Sequence, residues 1–334
     1  MLKRILSLLL IAFILSACTR DTRETVTFST WGSVTEVKIL KKVISDFEKE
    51  NPDIKINFLH IPQNYFQKIH LLFASNTSPD VLFVNNLYLP IYADKLEDLS
   101  GIVNKDEFYK EGIQALSVGG KLLAIPRDIS EFVIYYNKDF VTREPKTFSE
   151  LDSFIKKFGT KKRFGISYER DLFYAEPYIL TMGKEEGIKY YKSLEGRYAP
   201  SPADAGSLTQ AQMFLDKKLV FYISGRWMYP KLCESADFSF GIIPFRGKVY
   251  SDASGWAISK NTKHKTSAEK FVKYISSENS IKYFASTGLI VPSRKNVDFS
   301  DSKAFLEGLQ NSVIRIPDKN YGKNRDLFNK KMFN

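Results

Sequence analysis

Residues 25–84 switch between two hydrophobic periods, and that alternation restricts the fold more than any other feature of the chain. Val26 and Phe28 alternate with Thr25, Thr27 and Ser29, the period of two of a pleated strand. Val37, Leu40, Val43, Ile44 and Phe47 then recur at helical spacing until Asn51-Pro52 ends the helix. Ile54, Ile56 and Phe58 alternate again, and Phe66, Ile69, Leu72 and Phe73 form a second helical stripe. Ser78-Pro79-Asp80 turns the chain into Val81-Leu82-Phe83-Val84, a continuous apolar run expected of a strand buried on both faces. This is a β-α-β-α-β unit, whose crossovers are right-handed and make the three strands parallel. Ligands of open parallel sheets bind just past the carboxyl ends of the strands. Those ends lie at 29–32, 60–63 and 85–86, which makes Trp31, Gln63, Asn85 and Asn86 candidates, with Tyr65 just beyond.

The later chain is less regular. Strands are expected at 122–125, 132–136, 219–223, 238–243 and 257–259, and helical pieces at 96–99, 108–116, 148–158 and 208–215. Thr147-Phe-Ser-Glu150 and Thr266-Ser-Ala-Glu269 have the spacing of capping boxes that open helices. Residues 163–200 are rich in Tyr and Gly and have no clear period. A chain of 334 residues exceeds what one typical core needs, yet no repeat and no Gly/Ser linker divides it. Two domains without a linker imply that the chain crosses between them within strands.

The N-terminus reads as a processing signal. Lys3 and Arg4 precede an apolar run over 5–14, too short to span a bilayer, and Leu15-Ser16-Ala17-Cys18 follows. Small residues before a cysteine resemble the bacterial lipobox, which implies removal of 1–17, lipidation of Cys18 and a short tether over 18–23. Cys233 is then left without a disulfide partner and is expected as a small buried apolar residue. The net charge of +11 comes from scattered lysines with no basic–aromatic motif, so a solvated surface is expected and no nucleic acid.

Catalytic patterns are missing. There is no G-x-G-x-x-G or Walker loop and no G-x-S-x-G elbow, and His60, His70 and His264 match no zinc spacing. Asp128, Asp171 and Glu176 could form a glycosidase pair only if the fold brought two of them together. The tryptophans are more informative. Each of the three adjoins or nearly adjoins a glycine, at Trp31-Gly32, Gly225-Arg226-Trp227 and Gly255-Trp256. Aromatic rings at strand ends are suited to stacking on flat apolar sugar faces, with polar neighbours taking the hydroxyls. Gly32 and Gly225 would permit close backbone approach, though tight turns alone would also explain them, and Gly255 is a binding candidate beside Trp256. Each tryptophan would otherwise be a core residue.

Ordered motifs over most of the chain carry a resemblance. They are the strand ending in Trp31-Gly32, Phe47-Glu-Lys-Glu-Asn-Pro-Asp-Ile54, Ser78-Pro-Asp-Val-Leu-Phe83, and Gly120-Lys-Leu-Leu-Ala-Ile-Pro-Arg-Asp128 with Tyr135-Tyr-Asn-Lys-Asp139. Pro145-Lys-Thr-Phe-Ser-Glu-Leu151, Tyr222-Ile-Ser-Gly-Arg-Trp227, Gly255-Trp-Ala-Ile-Ser-Lys260 and Thr287-Gly-Leu-Ile-Val-Pro-Ser-Arg294 complete them. The chain resembles the extracellular solute-binding proteins of ABC importers, in the maltose- and sugar-binding branch. The resemblance implies an α/β, two-lobed periplasmic-binding-protein fold of type II, with parallel-type sheets flanked by helices and lobes joined by strand crossovers. The first lobe would hold 24–127 and 246–290 and the second 128–245 and 291–334, with hinges near 125–128, 242–244 and 290–292. Trp31, Asn85 or Asn86, Asp128, Trp227 and Trp256 match ligand-facing positions. Glu176-Pro177-Tyr178 resembles a cleft-lining motif, though the chain is short in this part. Arg226 would meet an anionic group or pack on Trp227 as a cation–π pair.

The function so implied is that of a lipid-anchored, monomeric subunit on the extracytoplasmic side of the membrane. It would close on a mono- or oligosaccharide and deliver it to permease subunits and their ATPase. No cofactor, metal or catalytic residue is implied. The alternatives are an anionic solute such as glycerol 3-phosphate or a sugar phosphate, and a lipid-anchored glycan-cleaving enzyme.

Overall fold

The structure, a computed structural model, describes residues 22–160 and 162–333, so the expected signal segment and Cys18 lie outside the described residues. The opening unit forms as the periods require: β1 Glu24–Thr30, α1 Val34–Glu50, β2 Ile54–His60, α2 Tyr65–Ala74 and β3 Val81–Asn85. Strand β1 runs parallel to β2 from Glu24↔Ile54 to Thr30↔His60 and parallel to β3 at Phe28↔Val81. Ser33 caps α1 by accepting from the Glu36 N–H, and Ile39, Leu40, Val43, Ile44 and Phe47 bury the expected stripe.

The remaining strands include β4 Ile125–Ser130, β5 Val133–Asn137, β6 Phe164–Ile166, β7 Leu219–Ser224, β8 Phe240–Pro244, β9 Tyr250–Ile258, β10 Val291–Pro292 and β11 Val313–Ile314. Among the described residues they build a seven-stranded sheet in the order β10-β4-β9-β3-β1-β2 with β11 beside β9, and a four-stranded sheet in the order β8-β5-β7-β6. The sheets are mixed rather than parallel. Strand β9 lies antiparallel between β3 and β4, and β5 lies antiparallel between β8 and β7. The parallel expectation holds only where helices connect the strands; β4 and β5 follow one another with two residues between.

Each sheet has its own core. Phe28, Phe47, Phe83, Trp256 and Phe271 gather in the larger lobe, Phe28 meeting Trp256 and Phe271 at centroid distances of 5.3 and 5.2 Å. Tyr136, Ile155, Tyr178, Tyr191 and Phe245 gather in the smaller lobe. The chain passes from one sheet to the other at Glu131-Phe132, between β4 and β5, and again between β8 and β9. Strands β10 and β11, within the stretch 291–334 that the sequence reading assigns to the second lobe, both pair in the larger sheet.

Some local expectations are corrected. Residues 96–99 form no helix; Leu96 makes a β-bridge with Ser259. Thr147 caps the helix Phe148–Phe158, but Glu150 accepts from the Lys146 N–H instead of completing a box. The helix Lys265–Ile275 starts before Thr266, which leaves that residue no capping role. Cys233 is exposed rather than buried, because it sits on the solvent side of the short helix Tyr229–Ser235, whose buried residue is Leu232.

Candidate functional site

Between the lobes lies a cavity of about 280 Å³. Its larger-lobe wall includes Trp31, Asn85, Asp128 and Ser254, and its smaller-lobe wall includes Phe173 and Trp227. It sits where the first three strands predict, at the carboxyl ends of β1 and β3.

Trp31 is half-buried and held edge-on by three rings, with centroids at 5.1 Å from Tyr65, 4.8 Å from Phe66 and 4.8 Å from Phe83. Gly32 follows it at φ +144°, and a Cβ there would come within 2.6 Å of the Glu36 carboxylate, so glycine is required twice over. Trp227 is 40% exposed, which is unusual for the largest side chain. Its ring folds back over Gly225, where a Cβ would sit 1.8 Å from it. The two rings therefore approach the cavity from opposite lobes.

The floor is ionic. Arg127 donates from Nη1 to Glu36 Oε1 and from Nε to Asp128 Oδ1, the latter at 2.5 Å, while its guanidinium lies 4.4 Å from the Phe83 ring. Burial pushes the Asp128 carboxyl up and Arg127 pulls against it. Asp128 Oδ2 has no protein partner among the described residues and faces a space lined by Ser130 and Ser254. Asn85 accepts from the Tyr88 N–H at 3.1 Å, which leaves its NH₂ group for a ligand.

Asn86 lines the cavity but is spent. Its Nδ2 donates to Asp252 Oδ1 at 2.8 Å and to the Arg315 carbonyl at 3.3 Å, and its Oδ1 accepts from the Ala253 N–H at 3.3 Å. Arg226, 1% exposed, lies over the rings of Tyr229, Phe299 and Phe305 rather than on Trp227. It donates to Ser300 Oγ at 3.1 Å, while its Nε and Nη1 are buried without partners, and burial lowers its proton affinity.

Other expected residues lie elsewhere. Gln63 is exposed and lines no wall of the cavity. Tyr65 is buried behind Trp31, its hydroxyl donating to the Ser29 carbonyl at 3.1 Å and accepting from the Phe83 N–H at 3.1 Å. Both Glu176 oxygens accept from Arg315, so this carboxylate belongs to a buried ion pair beside the cavity. Tyr178 is fully buried among Phe148, Tyr190, Tyr191 and Phe245, because it points into the smaller-lobe core from the helix Leu172–Met182. Trp256 and Gly255 sit inside β9 rather than at its start. The Trp256 ring is fully buried in the core, and a Cβ on Gly255 would meet the Ile125 carbonyl at 2.1 Å. Replacing Tyr178 by Phe, which deletes a buried hydroxyl with no partner, should leave ligand affinity unchanged and stability within about 1 kcal/mol in urea titrations.

Phe173, Glu36 and Asp252 line the cavity and escape the sequence reading, as does Glu131 in the small space beside it. Phe173 opens a helix capped by Asp171, whose carboxylate Arg325 holds with two bonds of 2.7 and 2.6 Å. Glu131, at the crossover between β4 and β5, has both oxygens buried without a partner, and burial pushes its carboxyl up to about 8 although Arg226 opposes this. A carboxyl raised on folding adds stability below its unfolded value and loses it as pH rises through 8. The Glu131→Gln variant should therefore gain on the wild type as pH increases from 5 to 8.5. A widening of roughly 2–4 °C in the melting-temperature difference is expected, checked by scanning calorimetry at each pH.

The comparisons with known proteins bear on the family and the fold. The sequence model described as bacterial extracellular solute-binding protein matches residues 42–306. The maltodextrin-binding protein MdxE of Bacillus subtilis (strain 168) is 24% identical over 309 residues, 78% of this chain and 72% of that protein. The galactooligosaccharide-binding protein of the same organism is 26% identical over 178 residues, 51% of this chain and only 41% of its own length. An ABC substrate-binding protein from Listeria monocytogenes, solved in complex with cycloalternan, superposes with a TM-score of 0.82 at 22% identity, covering 93% of this chain and 92% of that one. The Thermus thermophilus maltotriose binding protein bound with maltotriose superposes at 0.78 and 19% identity, covering 93% of each chain. At such identities the structural likeness establishes the two-lobed fold.

Proposed function

Because the chain belongs to the bacterial extracellular solute-binding protein family, we propose that it captures a neutral saccharide in its interlobe cavity as the binding subunit of an ABC importer. The observation that carries this reading is the pair Trp31 and Trp227, two rings from opposite lobes on one cavity, with Asp128 Oδ2 and the Asn85 amide beside them. Rings take the apolar faces of a sugar and carboxylate or amide groups take its hydroxyls. The names of the relatives, which bind maltodextrin and galactooligosaccharide, point the same way.

The mechanism is closure. A ligand touching both lobes stabilises the closed state by the contacts it makes only there, and shifts the population toward it. The segments 125–128, 242–244 and 290–292 are the hinges in this reading. The lipobox-like Leu15-Ser16-Ala17-Cys18 would anchor the monomer to the outer face of the membrane, and the closed form would be read by permease subunits and their ATPase. No described helix is long and apolar enough to cross a membrane. The protein performs no covalent chemistry in this reading.

Arg226 favours a second reading, an anionic solute, since two of its nitrogens, Nε and Nη1, have no partner. Against it, Arg127 and Arg315 each face two carboxylates. A thermal-shift screen with mono- to tetrasaccharides and with sugar phosphates separates the two, because a ligand that binds only the folded state raises the melting temperature. A neutral saccharide should raise it, with affinity changing less than about 2-fold between 50 and 500 mM salt. Stabilisation by sugar phosphates alone, weakened by salt, would transfer the function to the anionic class.

A further inference from the structure

The cavity has a blind end. It shares Ser130, Phe173, Trp227 and Asp252 with an adjoining space of only about 10 Å³, room for about one water. Arg315 fills that end. Its Nη1 and Nη2 donate to Glu176 Oε1 and Oε2 at 2.9 and 2.6 Å, and its Nε donates to Asp252 Oδ1 at 2.6 Å. The Tyr250 ring lies 4.0 Å from the guanidinium. The main chain is fixed as well: Arg315 N donates to the Ser251 carbonyl at 3.1 Å, and Asn86 donates to the Arg315 carbonyl at 3.3 Å.

We propose that Arg315 is a specificity-determining residue that walls off the cleft and sets the length of saccharide the protein reads at one or two rings. The proposal rests on the carbohydrate reading above. Three observations carry it. The open cavity, at about 280 Å³, falls below the range of about 300–1,000 Å³ that drug-sized ligands fill. A planar guanidinium forked onto one carboxylate and bonded to a second cannot swing aside without leaving the buried Glu176 without its cation and giving up the bond to Asp252. The two acids sit on different lobes, Glu176 on the helix Leu172–Met182 and Asp252 on β9, so the wall stands between the lobes where a longer chain would otherwise continue. A saccharide therefore meets Arg315 with its terminal ring, and any further units project from the open side and contribute no contacts.

The test is an affinity ladder. Calorimetric titrations use saccharides of one to four rings, in an α-linked gluco series and a galacto series, against three proteins: wild type, Arg315→Ala/Glu176→Ala and Tyr250→Ala. The double variant removes the wall with one acid, leaving Asp252 its bond from Asn86; Tyr250→Ala loosens the same end without breaking an ion pair. Wild-type affinity should rise from one ring to two and stay within about 3-fold from two to four. In the double variant the three- and four-ring sugars should gain at least about 10-fold over the two-ring sugar, whereas Tyr250→Ala, which keeps Arg315 forked onto Glu176, should keep the flat ladder. If the double variant does not fold, the wild-type ladder alone decides. A wild-type ladder that climbs 10-fold or more from two rings to four overturns the wall and keeps the carbohydrate reading, as does a folded double variant that keeps the flat ladder or a Tyr250→Ala ladder that climbs. Failure of both series to bind wild type overturns the carbohydrate reading, and the length limit with it.

Discussion

Replacing Trp227 by alanine should weaken saccharide binding by about 30-fold, equivalent to about 2 kcal/mol, the cost of deleting a central aromatic anchor. The same substitution should leave the unliganded protein nearly as stable as before, because the ring is 40% exposed and makes one aromatic contact, at 6.1 Å from Phe132. Trp31→Ala should weaken binding by a similar factor and also lower stability, since Tyr65, Phe66 and Phe83 all pack on that ring. The contrast is what makes the pair informative. Calorimetric affinity and urea unfolding, measured on both variants, should move together for Trp31 and separate for Trp227. An unchanged affinity in folded Trp227→Ala would remove the central claim about the cleft.

The second large effect concerns stability. Arg127→Met should cost about 3–5 kcal/mol, because it strands Glu36 and Asp128 as uncompensated buried acids. Adding Glu36→Gln and Asp128→Asn to the same protein should recover most of that loss, since the penalty lies in the orphaned charges rather than in a missing attraction. The pH dependence gives an independent check. Burial already pushes the Asp128 carboxyl up and the variant removes the cation that pulls against it, so the deficit of Arg127→Met should shrink as pH falls through the carboxylate range. A deficit that stays constant with pH would mean that lost packing against Phe83, Trp256 and Phe284 dominates instead.

What could be read from the sequence follows what local periodicity encodes. The β-α-β-α-β unit was legible because each element carries its own period, and its strand ends locate Trp31 and Asn85 without reference to anything distant. Trp256 was misread for a related reason. Gly255 looks like a boundary, but β9 runs straight through it. The glycine is needed because Ile125 of the neighbouring strand approaches closely, where the pairing shifts register between Ser254 and Gly255. A glycine demanded by a neighbouring strand is indistinguishable, along the chain, from one demanded by a turn.

The rest of the site depends on separations that no short pattern reports. Arg315 meets Glu176 across 139 positions, and Arg127 meets Glu36 across 91. Glu36 reads as an ordinary acid in the first turn of a helix, favourable at the positive end of the helix dipole, until the fold brings a buried arginine to it. Phe173 falls in the tyrosine-rich region without clear period, and its place in the wall depends on Arg325, 154 residues from the Asp171 cap it holds. Glu176 and Tyr178 were drawn into the expected site by a short motif, yet the helix turns one toward Arg315 and the other into the core.

The burial of Trp256 has an optical consequence. Of the three tryptophans in the chain, this one is sealed among Phe28, Phe83 and Phe284, where neither solvent nor solute reaches it. Its emission should be a constant, short-wavelength background. The other two indoles line the cleft, one on each lobe, in surroundings that change as water leaves and a sugar arrives. The protein thus carries an intrinsic fluorescence probe of its own occupancy. In a Trp256→Phe protein that signal would come from the two cleft rings alone, so capture and release could be followed in real time without a label.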